Sequence, residues 1–469
     1  MNLKKTFGIT LLLAVTALFV SAEPVDSIVA KQVAVNFYKS MKAPCHSAQC
    51  VYSLQKSLGE ADSLTCFYVF NVGKGFVMVS GDDKIEPVLG YSLDETFNLM
   101  DVPDNMLFFM NSYADEIEAI LRSPFTDNKS TKEKWDALRE DRYAAHREGT
   151  VGPLIATKWG QTDFYNELCP ADSMGPGGHA YTGCGAVVMG QMMKYWQYPT
   201  HGVGNHTYNC NFYGNYGELS ADFEHTTYDY SQMPIELTYQ SPAAEREAVA
   251  TLLYHCGVAV NMRYGPNYSS VSAGNLVNAM SNYFAYPATI RYHERAYYSG
   301  DWIATIKSEL DSFAPIFYGG AGNMGAHIFI CDGYQSDDYF HMNWGWSGLY
   351  NNSYYMLSEL NPGPYDYNSS HSMTVGIRGP ELHNSLAEKE TIPFHIYPNP
   401  VHQTLYVDLS SGQTDAYCVK IWDVMGRNIY TKNMENTHQS ISVEGLPKGI
   451  YILQVEGKRQ CASQKFVVE

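Results

Sequence analysis

The sequence predicts a mixed α+β protein built in three parts, and three observations carry that expectation. A helix apolar round most of its circumference follows the triplet Gly183-Cys184-Gly185. Two short strand-like runs carrying histidine, 326–331 and 339–344, lie well downstream. Residues 394–469 read as short strands at regular intervals.

The chain has 469 residues, 45% of them hydrophobic, a length that suggests about three domains. A formal net charge of −18 argues against electrostatic binding to nucleic acid or to anionic lipid, since both need a basic face. It also disfavours an acidic substrate.

Taken in order, Lys4-Lys5 precede an apolar run from Ile9 to Val20 and a small-residue site at Val20-Ser21-Ala22, which reads as a secretory signal peptide over 1–22. No later stretch approaches the twenty or so apolar residues of a membrane span, so no stable membrane insertion is expected. Val29, Val33, Phe37 and Met41 recur every fourth residue and predict an amphipathic helix. The runs 67–72 and 76–81, parted by Gly73-Lys74-Gly75, predict a hairpin. Together they form a small α+β unit over 23–150. Its end, 124–150, is polar and charged and is expected to be exposed and open to nicking, with Trp135, Leu138 and Tyr143 allowing a short helix.

The second part, 151–380, holds the buried helix from Ala186 to Trp196, a further helix over 243–256, and a strand-rich second half from 315 to 377. Cys184 is expected at a helix N-terminus, where unpaired N–H groups and the positive dipole end favour thiolate over thiol; the alternative is an inert, buried cysteine. A thiolate needs a base. His327 lies in the strand-like run 326–331, after a glycine-rich stretch, 319–325, read as a loop. If 326–331 and 339–344 close a symmetric hairpin, Cys331 faces Tyr339 and His327 faces Asn343, whose amide would hold the imidazole in one tautomer.

Ten cysteines suit a disulfide framework in an exported protein, with Cys45–Cys50 and Cys418–Cys461 as local pairs to test. Setting Cys184 aside leaves nine, so at least one other is unpaired. No spacing suggests zinc, and neither cofactor nor metal is expected. The third part, 394–469, follows a charged linker at 381–393. It is expected to be a small β-sandwich, and a carbohydrate-binding or adhesion module fits that pattern as well as any other.

Thr182-Gly183-Cys184, Met192-Met193-Lys194-Tyr195, Ala326-His327 and His341-Met342-Asn343-Trp344-Gly345-Trp346-Ser347-Gly348 resemble the active-site blocks of the streptopain family of secreted bacterial cysteine peptidases. The resemblance runs over about 22–380. It implies a papain-like two-lobe fold and synthesis as a zymogen, with 23–150 as a propeptide that covers the cleft and a junction within 124–150. It makes Cys184 the nucleophile, His327 the general base and Asn343 its orienter. Trp344 would shield that pair, and Gln161, in Trp159-Gly160-Gln161, would serve the oxyanion hole. Tyr397-Pro398-Asn399-Pro400, Asp423-Val424-Met425-Gly426-Arg427 and Leu446-Pro447-Lys448-Gly449-Ile450-Tyr451 resemble the C-terminal sorting domain of the Por (type IX) secretion system. That implies export from a Gram-negative cell.

The expectation is therefore a secreted cysteine endopeptidase. Its partners would be protein or peptide substrates, its own propeptide as inhibitor and the outer-membrane secretion machinery. A thiol acyltransferase or transglutaminase-like amidase is the rival enzyme, and a surface-binding protein with a silent peptidase site the rival from another class.

Overall fold

The computed structural model describes residues 24–44, 47–57, 63–122, 129–145, 150–322, 325–335, 338–357, 371–379, 394–409, 417–423, 428–434, 437–456 and 461–468. The expected signal peptide and the linker at 381–393 lie outside them.

The first part opens with α1 (Ser27–Ser40), started by Asp26, whose carboxylate accepts from the Ile28 and Val29 amides at 2.8 and 2.9 Å. Its Val33, Phe37 and Tyr38 are buried against β1 (Ala48–Ser57), β2 (Ser63–Val72), β3 (Gly75–Ser80) and β4 (Val88–Ser92). Two helices follow, α2 (Asp104–Arg122) and α3 (Lys129–Arg139). The expectation that 124–150 is wholly exposed fails at α3, where Thr131, Trp135 and Leu138 form one buried stripe. The Trp135 indole donates to the Ile85 carbonyl at 2.8 Å, Lys134 meets the buried Glu86 carboxylate at 2.9 Å, and Asn36 and Gln32 donate to the carbonyls of Leu138 and Arg139. Two large apolar residues on one face, with these hydrogen bonds and the ion pair to Glu86, outweigh the polar composition round them.

The second part adds α4 (Cys184–Trp196), the hairpin β5 (Asn205–Cys210) and β6 (Gly217–Asp222), α5 (Ala243–Ala259) and α6 (Ala273–Asn282). The strand-rich half holds β7 (Arg291–Glu294), α7 (Trp302–Asp311), β8 (Ile316–Gly322), β9 (Gly325–Gln335), β10 (Tyr339–Asn343), β11 (Ser353–Met356) and β12 (His371–Val375).

Among the described residues ten strands make one antiparallel sheet in the order β1-β2-β3-β4-β11-β10-β9-β8-β12-β7. The join between first and second parts is the β4–β11 pairing, with Tyr91 opposite Tyr354. The first part is thus not a cap laid on a finished domain. Its Phe37, Phe76 and Phe109 share one hydrophobic core with Phe329, Trp344 and Tyr355. A second core lies under α4 and α5, with Val188, Met192, Leu252 and Leu253 fully buried. These two cores are the expected two lobes, with the first part built into the β lobe.

The third part is a β-sandwich with its own core. One sheet is β13 (Phe394–Tyr397), β14 (Thr404–Leu409) and β17 (His438–Ser442). The other is β16 (Asn428–Asn433), β15 (Cys418–Asp423), β18 (Gly449–Glu456) and β19 (Cys461–Val468).

No disulfide of the expected framework is formed among the described residues. Among the described residues eight cysteines are free thiols, and Cys66, Cys169, Cys210, Cys256 and Cys331 are buried. Cys418 faces Glu456, which faces Cys461. Two inter-strand steps, about 10 Å, exceed the roughly 7 Å that a disulfide spans. Cys50 is exposed and free, and Cys45 lies outside the described residues.

Candidate active site

Cys184 is the first residue of α4, entered through Gly183 at φ 88°, a left-handed conformation that glycine adopts without strain. A Cβ on Gly183 would stand 2.7 Å from the Met262 sulfur, so the tight entry and the close neighbour both require glycine. One residue earlier, the buried Thr182 donates its amide to the Gln161 carbonyl at 3.0 Å, tying Gln161 to the approach to the cysteine.

Cys184 is partly exposed overall, yet burial dominates its sulfur and pushes the thiol up. The N–H groups of Ile328, Gly185 and Cys184 itself act the other way without prevailing. Burial thus outweighs the three N–H groups at this sulfur. Ile328 directly follows His327 on β9, so the sulfur of the helical lobe lies against the strand that carries the imidazole.

Of the glycine-rich stretch expected as a loop, the described residues 319–322 and 325 are strand. β8 pairs with β9, Gly319 facing Ile328 and Gly320 facing His327. A Cβ on Gly319 would fall 2.1 Å from the His327 carbonyl oxygen, so glycine here lets two backbones meet beside the site.

Helix α2 of the first part supplies the other wall. The Phe108 ring lies 5.2 Å from the His327 ring, centroid to centroid. Asn105 donates to the Trp344 carbonyl, and the Phe109 ring packs against Phe329, Trp344 and His371. Trp344 itself is fully buried, 4.6 Å from Phe329 and 5.4 Å from Tyr355. His371 is also fully enclosed, its ring nitrogens at 2.9 Å from the Tyr318 hydroxyl and 3.2 Å from the Ser112 hydroxyl of α2. Burial, with the Arg295 charge adding to it, holds His371 down at about 3.

The assumed register is corrected. β9 and β10 turn more tightly than a symmetric closure from Cys331 allows, so Gln335 faces Tyr339 and Asn343 faces Ile330 rather than His327. The pairing also slips at Asp332: His341 faces Gly333 while Met342 faces Cys331. That bulge turns the Asp332 carboxylate to the His341 ring at 2.6 Å and to the Ile155 amide at 2.7 Å, all fully or nearly fully buried. The ion pair holds the imidazole of His341 above its ordinary range against the cost of burial.

Asn343 spends its amide elsewhere. Its nitrogen donates to the Thr157 carbonyl at 2.8 Å, and its oxygen accepts from Gln191 at 3.2 Å and from the Gly345 amide at 3.1 Å. Gln191, Asp332 and Phe108 were not singled out in the sequence, and His341 was read only as part of a block, with no role of its own. Gln191 left a signal there: a polar residue on an otherwise apolar helix, seven positions after Cys184 and so on its face.

A thiol at a helix N-terminus, set against a histidine-bearing strand of a second lobe, defines a papain-like cysteine peptidase. The chain belongs to the streptopain, or C10, peptidase family. It matches the Peptidase C10 family over residues 159–355, the Spi protease inhibitor family over 22–117 and a secretion system C-terminal sorting domain over 395–469. It is 30% identical to streptopain of Streptococcus pyogenes over 410 residues, covering 80% of this chain and 99% of that protein. It is 29% identical over 396 residues to the thiol protease/hemagglutinin PrtT of Porphyromonas gingivalis, again over 80% of this chain but spanning only 44% of that longer relative. Among solved structures it is similar to a prointerpain A fragment of Prevotella intermedia, with TM-score 0.53 and 29% identity over 70% of this chain and 99% of the fragment.

Proposed function

We propose that the chain is a secreted cysteine endopeptidase made as a zymogen. Cys184, as thiolate, attacks a peptide carbonyl; imidazolium His327 gives its proton to the leaving amine, leaving a thioester on Cys184. Neutral His327 then takes a proton from water, whose oxygen attacks the thioester and frees the acid and the thiolate. The Cys184 N–H and the Gln161 side chain face the oxyanion, a contribution of about 3 to 4 kcal/mol per donor. Asn343, bonded to Thr157 and Gln191, supports the Trp344 turn rather than the imidazole ring.

The observation that carries this reading is the contact of the Cys184 sulfur with the Ile328 amide, next in sequence to His327. Phe108 on the His327 ring supports the zymogen half of it: substrate cannot reach an imidazole covered by α2. Because α3 is bound to the first part and Val151 pairs with Tyr334 of β9, we assign the activating cut to 140–150, between them. The sandwich at 394–469 would direct export through the outer membrane of a Gram-negative cell and be removed there.

The test is labelling of the processed enzyme with a thiol-directed peptidyl inhibitor. The expected result is that Cys184 reacts orders of magnitude faster than free glutathione under the same conditions. Equal rates would leave a silent site. Capture of the acyl group by added amines in preference to water would indicate the transferase.

A further inference from the structure

The proposed oxyanion donors lie on different elements: the Cys184 N–H begins α4, while Gln161 ends an extended segment that runs from the start of the second part. No strand pairing fixes one to the other, and the backbone supplies a single tie, from the Thr182 amide to the Gln161 carbonyl at 3.0 Å. One fully buried side chain spans them. Gln191 sits two turns into α4, about 10 Å along the axis from Cys184. Its carbonyl oxygen accepts from the Thr157 hydroxyl at 2.9 Å and from the Trp159 amide at 3.3 Å, two residues before Gln161. Its nitrogen donates to the Asn343 oxygen at 3.2 Å.

The partners close a ring around it. Asn343 returns to the Thr157 carbonyl and holds the Gly345 amide, while the Ser347 amide donates to the Trp159 carbonyl at 3.2 Å. Thr157, Trp159, Gln161, Asn343 and Trp344 are all buried. A buried polar group left unpaired is costly, so this knot has one low-energy arrangement, and it sets three parts of the site at once.

We propose that Gln191 is a positioning residue that fixes the 157–161 segment, and through it Gln161, against the nucleophile helix, and with them the Trp344 turn. The proposal rests on the assignment of Cys184 and Gln161 made above. Gln191 touches no substrate. Its effect falls on the geometry of the oxyanion site, where removal of one donor typically costs about 10² to 10³ in kcat. Loosening a donor is worth less than deleting it, so about 10- to 100-fold is expected.

The experiment compares processed wild-type enzyme with Gln191→Met, which keeps length and apolar packing but loses every hydrogen bond, and Gln191→Glu, which keeps the acceptor. Four quantities are read: kcat, KM, the rate of Cys184 alkylation by iodoacetamide, and affinity for a peptide aldehyde, whose adduct places an oxygen in the oxyanion site. For Gln191→Met, kcat and aldehyde affinity fall together by about 10- to 100-fold, while KM and the alkylation rate stay near wild type. Gln191→Glu recovers a large share of that loss. Wild-type kcat and aldehyde affinity in Gln191→Met, with only a lower melting temperature, would overturn the proposal. Should Gln191→Met fail to fold, Thr157→Val removes one bond of the knot: a fall in kcat at constant KM supports the proposal, and unchanged kcat overturns it. Failure of the underlying assignment looks different, since hydrolysis would then survive Cys184→Ala.

Discussion

At the residue scale two features bear on the candidate site. Phe108 lies on His327, and burial raises the Cys184 thiol although three N–H groups oppose that rise. The first of these contacts belongs to α2 and ends if that helix leaves. Phe108→Ala in the full-length chain opens space over the imidazole and removes a largely buried ring. The unprocessed precursor should then react with a small thiol reagent at Cys184 several-fold faster than wild type, measured by mass spectrometry before any cut has occurred. An unchanged rate would mean that Phe108 is not what restrains the site.

The elements explain what could be read in advance. Helix α4 was legible because Gly183, Cys184 and an apolar run to Trp196 set its start and face, and it ends at Trp196 as expected. The hairpin β2–β3 and the C-terminal strands were legible from alternation and glycine turns. The β9–β10 register was not, because it depends on a bulge at Asp332, and a bulge is stabilised by partners remote in sequence, here His341 and Ile155. The 319–325 stretch misled for a related reason: glycine is a turn signal locally, while here it serves close strand approach. The role of Asn343 went astray with the register, and Gln191 passed as one polar residue in an apolar helix.

The Asp332–His341 pair also gives a prediction at this scale. Removing one member leaves the other charged group, or an unpaired ring, in a dry interior, a loss of about 3 to 5 kcal/mol. Asp332→Ala should therefore lower the midpoint of denaturant unfolding strongly, while Asp332→Asn, able to accept from Ile155 still, should cost less. Equal, small effects of both would show that the pair does not fasten residues 151–155 to β9.

For the molecule as a whole, the first part and the β lobe share a sheet and a core, so a cut in 140–150 would not by itself separate them. The interface carries its own acid sensitivity. His371, enclosed between Tyr318 and the Ser112 and Phe109 of α2, is held at about 3, against about 6.5 when unfolded. The unfolded chain therefore binds the extra proton between those values, and stability falls as pH drops below 6.5, by about 1.4 kcal/mol per unit. His255, pushed down by burial to about 4, adds in the same direction. The raised His341 instead gives stability that is present below about 6.5 and lost as pH rises through its folded value. Between pH 6.5 and 5 the precursor should lose about 2 kcal/mol through His371 alone. Urea unfolding of His371→Gln should show a correspondingly flatter pH dependence, and an unaltered slope would contradict the burial argument.

The proposed reading is of a peptidase with Cys184 as nucleophile, kept closed until the chain is cut and its first part leaves. Purified full-length Cys184→Ala, followed by intact mass with other proteases excluded, tests it most directly. The expected result is a folded precursor that stays at full length indefinitely and is cut within 140–150 when a trace of active wild-type enzyme is added. Spontaneous maturation of the pure variant at the wild-type rate would contradict the claim.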